Sequence, residues 1–119
     1  MAAKPLLECS FLIPMRRDHN LSDGKPHPKK AWAWLNRELY FFGGATRSTE
    51  PVEGWYVDPD TGKRVQDLSR KYTVAVARSE LFQLRSVLRE ACVIFQQKCI
   101  YLSIAGRVEF VHRKRHDPS

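Results

Sequence analysis

The chain lacks any long apolar run. No stretch approaches the ~20 apolar residues that a membrane-spanning helix needs, and the short apolar start at Leu6–Leu7 is broken at Glu8 and Ser10 before a signal-peptide core develops. These absences argue against a membrane span and against export. We therefore expect a cytoplasmic protein with no membrane partner.

Motifs for cofactors and metals are also missing. The Gly43–Gly44 pair follows a predicted helix instead of opening one, so it is not a phosphate-binding loop. The cysteines match no zinc or redox spacing, and we predict that they are buried small side chains in a reducing compartment. The chain has three of them: Cys9, Cys92 and Cys99. We predict no cofactor and no metal.

The signature of RNA-binding sheets is weak as well. Such sheets interleave exposed aromatic and basic residues on adjacent strands, and only the segments 70–72 and 99–101 hint at this pattern. Nucleic-acid binding is therefore an alternative and not the favoured function.

The amino-acid composition is typical of a globular domain. Of 119 residues, 43% are hydrophobic and 28% charged, which is enough for one core and too little for two. The net charge of +7 is spread over many short basic pairs, a pattern more typical of a solvated surface than of a binding groove. We predict a single domain over residues 1–112 and a basic flexible tail over 113–119.

The period of the apolar pattern changes along the chain and predicts an alternation of strands and helices. Two-residue periods, β-branched runs and turn residues predict strands, and stripes at three- and four-residue spacing predict helices. The predicted elements are a strand at 7–13, a helix at 28–42, a hairpin of 54–57 with 63–66, a strand at 72–76, a helix at 79–98, and strands at 99–105 and 107–111. Residues 44–52 are small and polar and predict a loop or irregular edge.

This order predicts an α+β fold of the ferredoxin-like (βαββαβ) type. Its sheet is antiparallel, both helices lie on one face, and a hairpin is added. Three phrases of the chain resemble small bacterial ferredoxin-like proteins of unassigned function: Phe42–Thr46 after the first helix, Ser69–Val76, and Phe95–Gln97 leading into Ile100–Ser103. The resemblance implies an architecture and no mechanism.

The best candidate site is the polar loop after the first strand, because it places cations, a carboxylate and an imidazole together. Its candidate ligand-binding residues are Arg16, Arg17, Asp18 and His19. No second acidic ligand can be assigned to Asp18, so the favoured function is non-enzymatic: a domain that binds a small anionic ligand or a protein partner. The alternative is a nucleic-acid-associated protein, in one version a metal-dependent nuclease that uses Asp18.

Apolar residues remain after one core is filled, and they predict a homo-oligomer. The first helix carries aromatic residues on two faces, and one face of a two-layer sheet stays open. The candidate interface residues are Trp34, Phe41 and Tyr101.

Overall fold

Strands and two helices alternate along the chain. The computed structural model describes residues 5–58 and 60–113. The strands are β1 (Leu6–Pro14), β2 (Gly44–Arg47), β3 (Val52–Val57), β4 (Arg64–Ala77), β5 (Cys99–Ile104) and β6 (Arg107–His112), and the helices are α1 (Lys29–Leu39) and α2 (Leu81–Ile94), the latter preceded by a 3₁₀ turn at Arg78–Glu80. The α+β class, with one antiparallel sheet and two helices, is confirmed.

All six strands form one antiparallel sheet. The path through it is β2–β4–β1–β5–β6, and β3 pairs with the first half of β4. β4 is 14 residues long, and it pairs with β3 near Leu68 and with β2 near Val74. The polar residues between Val65 and Tyr72 had suggested a break between two strands. They stay extended because β3 pairs along β4 from Arg64 to Ser69 and β1 from Ser69 to Ala77.

The core lies between one face of the sheet and both helices. Alternate residues of β1 point to this face, and the register puts Cys9 beside Val74 and Phe11 beside Tyr72. The rings of Phe11 and Tyr72 stack with their centroids 5.1 Å apart. The helices close the core with apolar side chains at helical spacing, namely Ala31, Leu35 and Leu39 from α1 and Leu84, Leu88, Ala91 and Cys92 from α2.

Several element boundaries differ from the sequence prediction. α1 ends at Leu39, where 3₁₀-type bonds tighten the last turn up to Phe42. Residues 44–47 form the edge strand β2 and not a loop, because they pair with 72–75 of β4. α2 proper begins at Leu81 and not at Ser79. The Glu80 carboxylate accepts a hydrogen bond from the backbone N–H of Ala77 at 3.2 Å, ahead of this helix.

The two predicted hairpins are present. β5 and β6 are joined by Ala105 and Gly106, both with positive φ, which is the backbone of a primed turn that matches the twist of a hairpin. Between β3 and β4 the Asp58 N–H donates to the Lys63 carbonyl at 2.8 Å.

The helices do not meet the requirements of a membrane span. Within residues 5–58 and 60–113, no helix is both long and apolar enough to cross a bilayer. The predicted tail falls almost wholly outside the described residues, since the description ends at Arg113.

Candidate functional site

A cavity lined by charged side chains lies beyond the end of β1. β1 stops at Pro14, which pairs with Ser69, while β4 and β3 continue past this level as a projecting hairpin. On the other side, β5 begins at Cys99. The gap between the hairpin and β5 forms a cavity of about 340 Å³.

The loop that leaves β1 closes one side of this cavity. We call residues 15–27 the site loop. All four sequence-predicted site residues, Arg16, Arg17, Asp18 and His19, line the cavity. The loop folds back on itself, because Arg17 N–H donates to the Lys25 carbonyl at 2.9 Å.

The end of α2 anchors the site loop. Gln97 is only 6% exposed, and its amide donates to the Arg16 carbonyl at 2.8 Å and to the Phe95 carbonyl at 2.9 Å. Asp18 N–H donates to the Gln96 carbonyl at 2.9 Å. Gln96 has φ 53°, a left-handed turn that ends the helix and aims this carbonyl at the loop.

The other side of the cavity holds two ionisable groups with raised pKa values, Asp67 and Tyr56. Asp67 on β4 lies directly opposite Gly54 on β3, and Tyr56 follows two residues along the same face. A side chain at Gly54 would meet open space, so nothing covers Asp67 from that side. Both Asp67 and Tyr56 are half-buried.

Burial and neighbouring carboxylates raise the pKa values of both groups. Burial, and then the charge of Asp18, raises the pKa of Asp67 above its usual value of 3.8, against a smaller opposite effect of His19. Burial first, and then the charge of Asp67, raises the pKa of Tyr56 to about 12. Within the described residues no hydrogen bond acts on the Asp67 carboxyl. The site therefore contains a carboxyl group that has no hydrogen-bond or ion-pair partner among the described residues, beside a phenol that stays protonated.

Charged residues surround this pair on the rim. Asp58 and Asp60 come from the hairpin, and Lys98 Nζ lies 3.5 Å from an Asp60 oxygen. Arg17 already pairs with Asp23 at 2.9 Å. The rim thus offers carboxylates on the hairpin side and cations on the loop side.

Cys99 also lines the cavity, whereas Cys9 and Cys92 are buried as predicted. Burial, and then the charge of Asp58, raises the pKa of the Cys99 thiol. A protonated thiol is a weak nucleophile. Among the described side chains, no group of three or more His, Cys, Asp or Glu is placed to hold a metal ion.

A second, apolar pocket of about 140 Å³ opens on the sheet face away from the helices. It shares four wall residues with the cavity: Tyr56, Asp67, Gln97 and Cys99. The two spaces are therefore neighbours along one groove.

The sequence prediction located the loop but missed the opposite wall. Asp67 carried a usable signal, because Asp is depleted inside strands and needs a reason to be there. Gln97 falls within the predicted helix at 79–98, but it lies beyond the end of α2 and is buried. Nothing in the local sequence around Tyr56 or Cys99 indicates that both meet the site loop, because the pairing of distant strands brings them there.

The candidate interface residues differ in exposure. Phe41 is 59% exposed, whereas Trp34 is half-buried against the core. Tyr101 is half-buried, and its ring meets Phe110 edge-on. Homo-oligomer formation stays a prediction.

Comparison with known proteins gives a match at the level of structure only. No family model and no curated protein matches the chain. A solved phage SAM lyase in complex with S-methyl-5'-thioadenosine is similar in fold, with a TM-score of 0.68 and 10% identity over 98% of this chain and 97% of that one. A phage SAM lyase in its apo state aligns with a TM-score of 0.62 and 10% identity over 93% and 92%.

These neighbours contradict the prediction of a non-enzymatic binding domain. Both are lyases, and the similarity spans nearly the whole chain instead of a fragment. The prediction was wrong because it judged the site loop alone, where Asp18 has no acidic partner. The wall formed by Tyr56 and Asp67 was not visible in the sequence pattern.

Proposed function

We propose that this protein is an enzyme that cleaves S-adenosylmethionine (SAM) and releases S-methyl-5'-thioadenosine. The observation that carries the proposal is the half-buried, unpaired Asp67 in a cavity at the end of β1, in a fold shared end to end with SAM lyases. At 10% identity the shared fold alone does not assign an activity, so the argument rests on the cavity.

The charges of the cavity suit this substrate. SAM carries a sulfonium, an ammonium and a carboxylate on one end of the molecule. The hairpin side of the cavity supplies Asp58, Asp60 and Asp67, the site loop supplies Arg16, and Lys98 lies between α2 and β5. A substrate cation beside Asp67 would pair with a carboxyl group that has no ion-pair partner among the described residues.

Asp67 and Tyr56 have distinct roles in the proposal. Asp67 binds the cationic end of the substrate, and this requires its ionised form. Tyr56 keeps its proton, because the pKa is raised to about 12, and it donates a hydrogen bond to a substrate oxygen. Held from both sides, the flexible amino-acid chain is restricted to the conformation that reacts.

The proposed step breaks the bond between sulfur and the four-carbon amino-acid chain. The electron pair of this bond goes to sulfur, and S-methyl-5'-thioadenosine leaves as a neutral thioether. The four-carbon fragment either closes onto its own carboxylate as a lactone or loses a Cβ proton to solvent to form an alkene. Neither route consumes water. The lactone and the alkene are isomers that proton NMR distinguishes.

The proposal is tested by incubating purified protein with SAM and measuring S-methyl-5'-thioadenosine by liquid chromatography. We expect Asp67→Asn to lower kcat/KM about 100-fold and Tyr56→Phe to lower it about tenfold. Because the pKa of Asp67 is raised, the wild-type activity should fall with decreasing pH while the solution is still above pH 3.8.

Two matched variants serve as controls. Glu50→Gln neutralises an exposed carboxylate outside the cavity, and Tyr40→Phe removes a hydroxyl from a side chain that is 84% exposed. Both should retain wild-type rates. No product from the wild type, or full activity in Asp67→Asn, would refute the proposal.

We also infer that the architecture is the ferredoxin-like plait that the sequence predicts. Its support is the strand order, in which β4 and β1 are central, β5 flanks β1, and the β2–β3 segment flanks β4. β6 is then the addition at one edge. The resemblance to small bacterial ferredoxin-like proteins stays a prediction.

A further inference from the structure

The apolar pocket beside the cavity has the shape and lining of a ring-binding site. Its volume is about 140 Å³, and it lies on the open face of the sheet between β3 on one side and β5 and β6 on the other. Three aromatic residues whose side chains share this face line it: Tyr56, Tyr101 and Phe110.

The β5–β6 side of this pocket is built by a cross-strand pair. Tyr101 and Phe110 are directly opposite in the register, and their rings meet edge-on with centroids 5.9 Å apart. Phe110 is nevertheless 44% exposed. An aromatic face that is held in place and left open is suited to a planar partner.

We infer that this pocket binds the purine ring of the substrate, while the neighbouring cavity binds its charged end. The inference rests on the proposed function, since it assigns the two halves of SAM to two adjoining spaces. SAM has one apolar planar end and one charged end, and the groove has one apolar and one charged compartment. Tyr56 and Asp67 belong to both, so the sulfonium lies where the compartments meet.

The assignment makes Phe110 and Tyr101 specificity-determining residues. They contact the base and not the bond that breaks. Loss of either ring should therefore weaken binding without slowing the bound substrate, which appears as a raised KM with little change in kcat.

The experiment measures equilibrium binding of S-methyl-5'-thioadenosine by calorimetry. We expect Phe110→Ala and Tyr101→Ala to weaken binding about tenfold or more. Phe82→Ala, which removes a ring that is 73% exposed on α2, should bind as the wild type does. Phe110→Leu, which keeps apolar volume at this position, is a second variant if Phe110→Ala fails to fold.

A probe without the purine isolates the contribution of the ring. 5-Methylthioribose should bind the wild type and Phe110→Ala equally. Equal S-methyl-5'-thioadenosine affinity in the wild type and both alanine variants would overturn the inference, as would the absence of any binding to the wild type.

Failure of the proposed function gives a different result. In that case S-methyl-5'-thioadenosine binds and the binding depends on Phe110, but SAM is not cleaved. This result would support purine binding in the pocket and would contradict the role of Asp67 in SAM cleavage.

Discussion

At the residue scale, Asp67 combines an unfavourable position for folding with a favourable one for binding a cation. Its carboxyl is half-buried, and no hydrogen bond from the described residues compensates its charge. Such groups concentrate at functional sites, because a polar group that costs stability is retained where it serves the reaction.

The raised pKa of Asp67 predicts how Asp67→Asn changes the stability of the protein. The folded carboxyl keeps its proton to a higher pH than the unfolded one, so stability falls as pH rises from 3.8 through the raised pKa, and the penalty is constant above it. Asparagine removes the penalty. We expect the melting temperature to rise by roughly 2–4 °C at pH 7 and to match the wild type at pH 3. Calorimetry of both proteins, with Glu50→Gln as control, checks this; a lower melting temperature at pH 7 would show that Asp67 has a stabilising partner.

At the element scale, the site loop depends on a buried histidine at its end. His27 is 8% exposed, and its Nε2 lies 2.7 Å from the Pro14 carbonyl, which requires the proton on Nε2. The ring meets Trp32 and Phe95 edge-on. Its Nδ1 is buried without a partner, and Arg17 and the Arg70 guanidinium over Trp32 add positive charge nearby. Protonation is therefore unfavourable in the folded state.

This arrangement predicts that acid weakens the attachment of the site loop. Burial lowers the pKa of His27, so its contribution to stability is complete above pH 6.5 and is lost as pH falls through the lowered value. His27→Phe keeps the ring packing but loses the hydrogen bond. We expect it to be about 1 kcal/mol less stable than the wild type at pH 7.5 and to lose less stability between pH 7 and pH 5. Urea unfolding measures this; His19→Phe, at an exposed position, should keep the wild-type pH dependence. An unchanged dependence in His27→Phe would contradict the prediction.

At the scale of the whole molecule, the sequence patterns predicted the class and the order of elements well. Amphipathic stripes such as that of Leu84 and Leu88 are local signals, and both of these side chains are fully buried. The site was only half predictable. Arg16 to His19 are contiguous, whereas Asp67 and Gln97 reach them through strand pairing and a helix end, and such long-range contacts leave little trace in a local pattern.

Homo-oligomer formation stays a prediction, and exposed apolar side chains favour it. Phe41 and Val108 are both more than half exposed, and exposed apolar residues of this size favour association. Sedimentation equilibrium should give a mass that is a multiple of 13.8 kDa, and Phe41→Glu should reduce it, while Phe82→Glu serves as a comparison at another exposed aromatic. A wild-type mass of 13.8 kDa at micromolar concentration would disprove the prediction.

The early end of β1 has a kinetic consequence. Paired strands form two sides of the cavity beyond β1. Little additional backbone therefore has to become ordered when a small molecule binds. Only the stretch between β1 and α1 has freedom to adjust, and Gln97 restrains it. Entry and exit then need no large opening motion, and under the proposed function we expect bond breaking, and not a gate, to limit turnover.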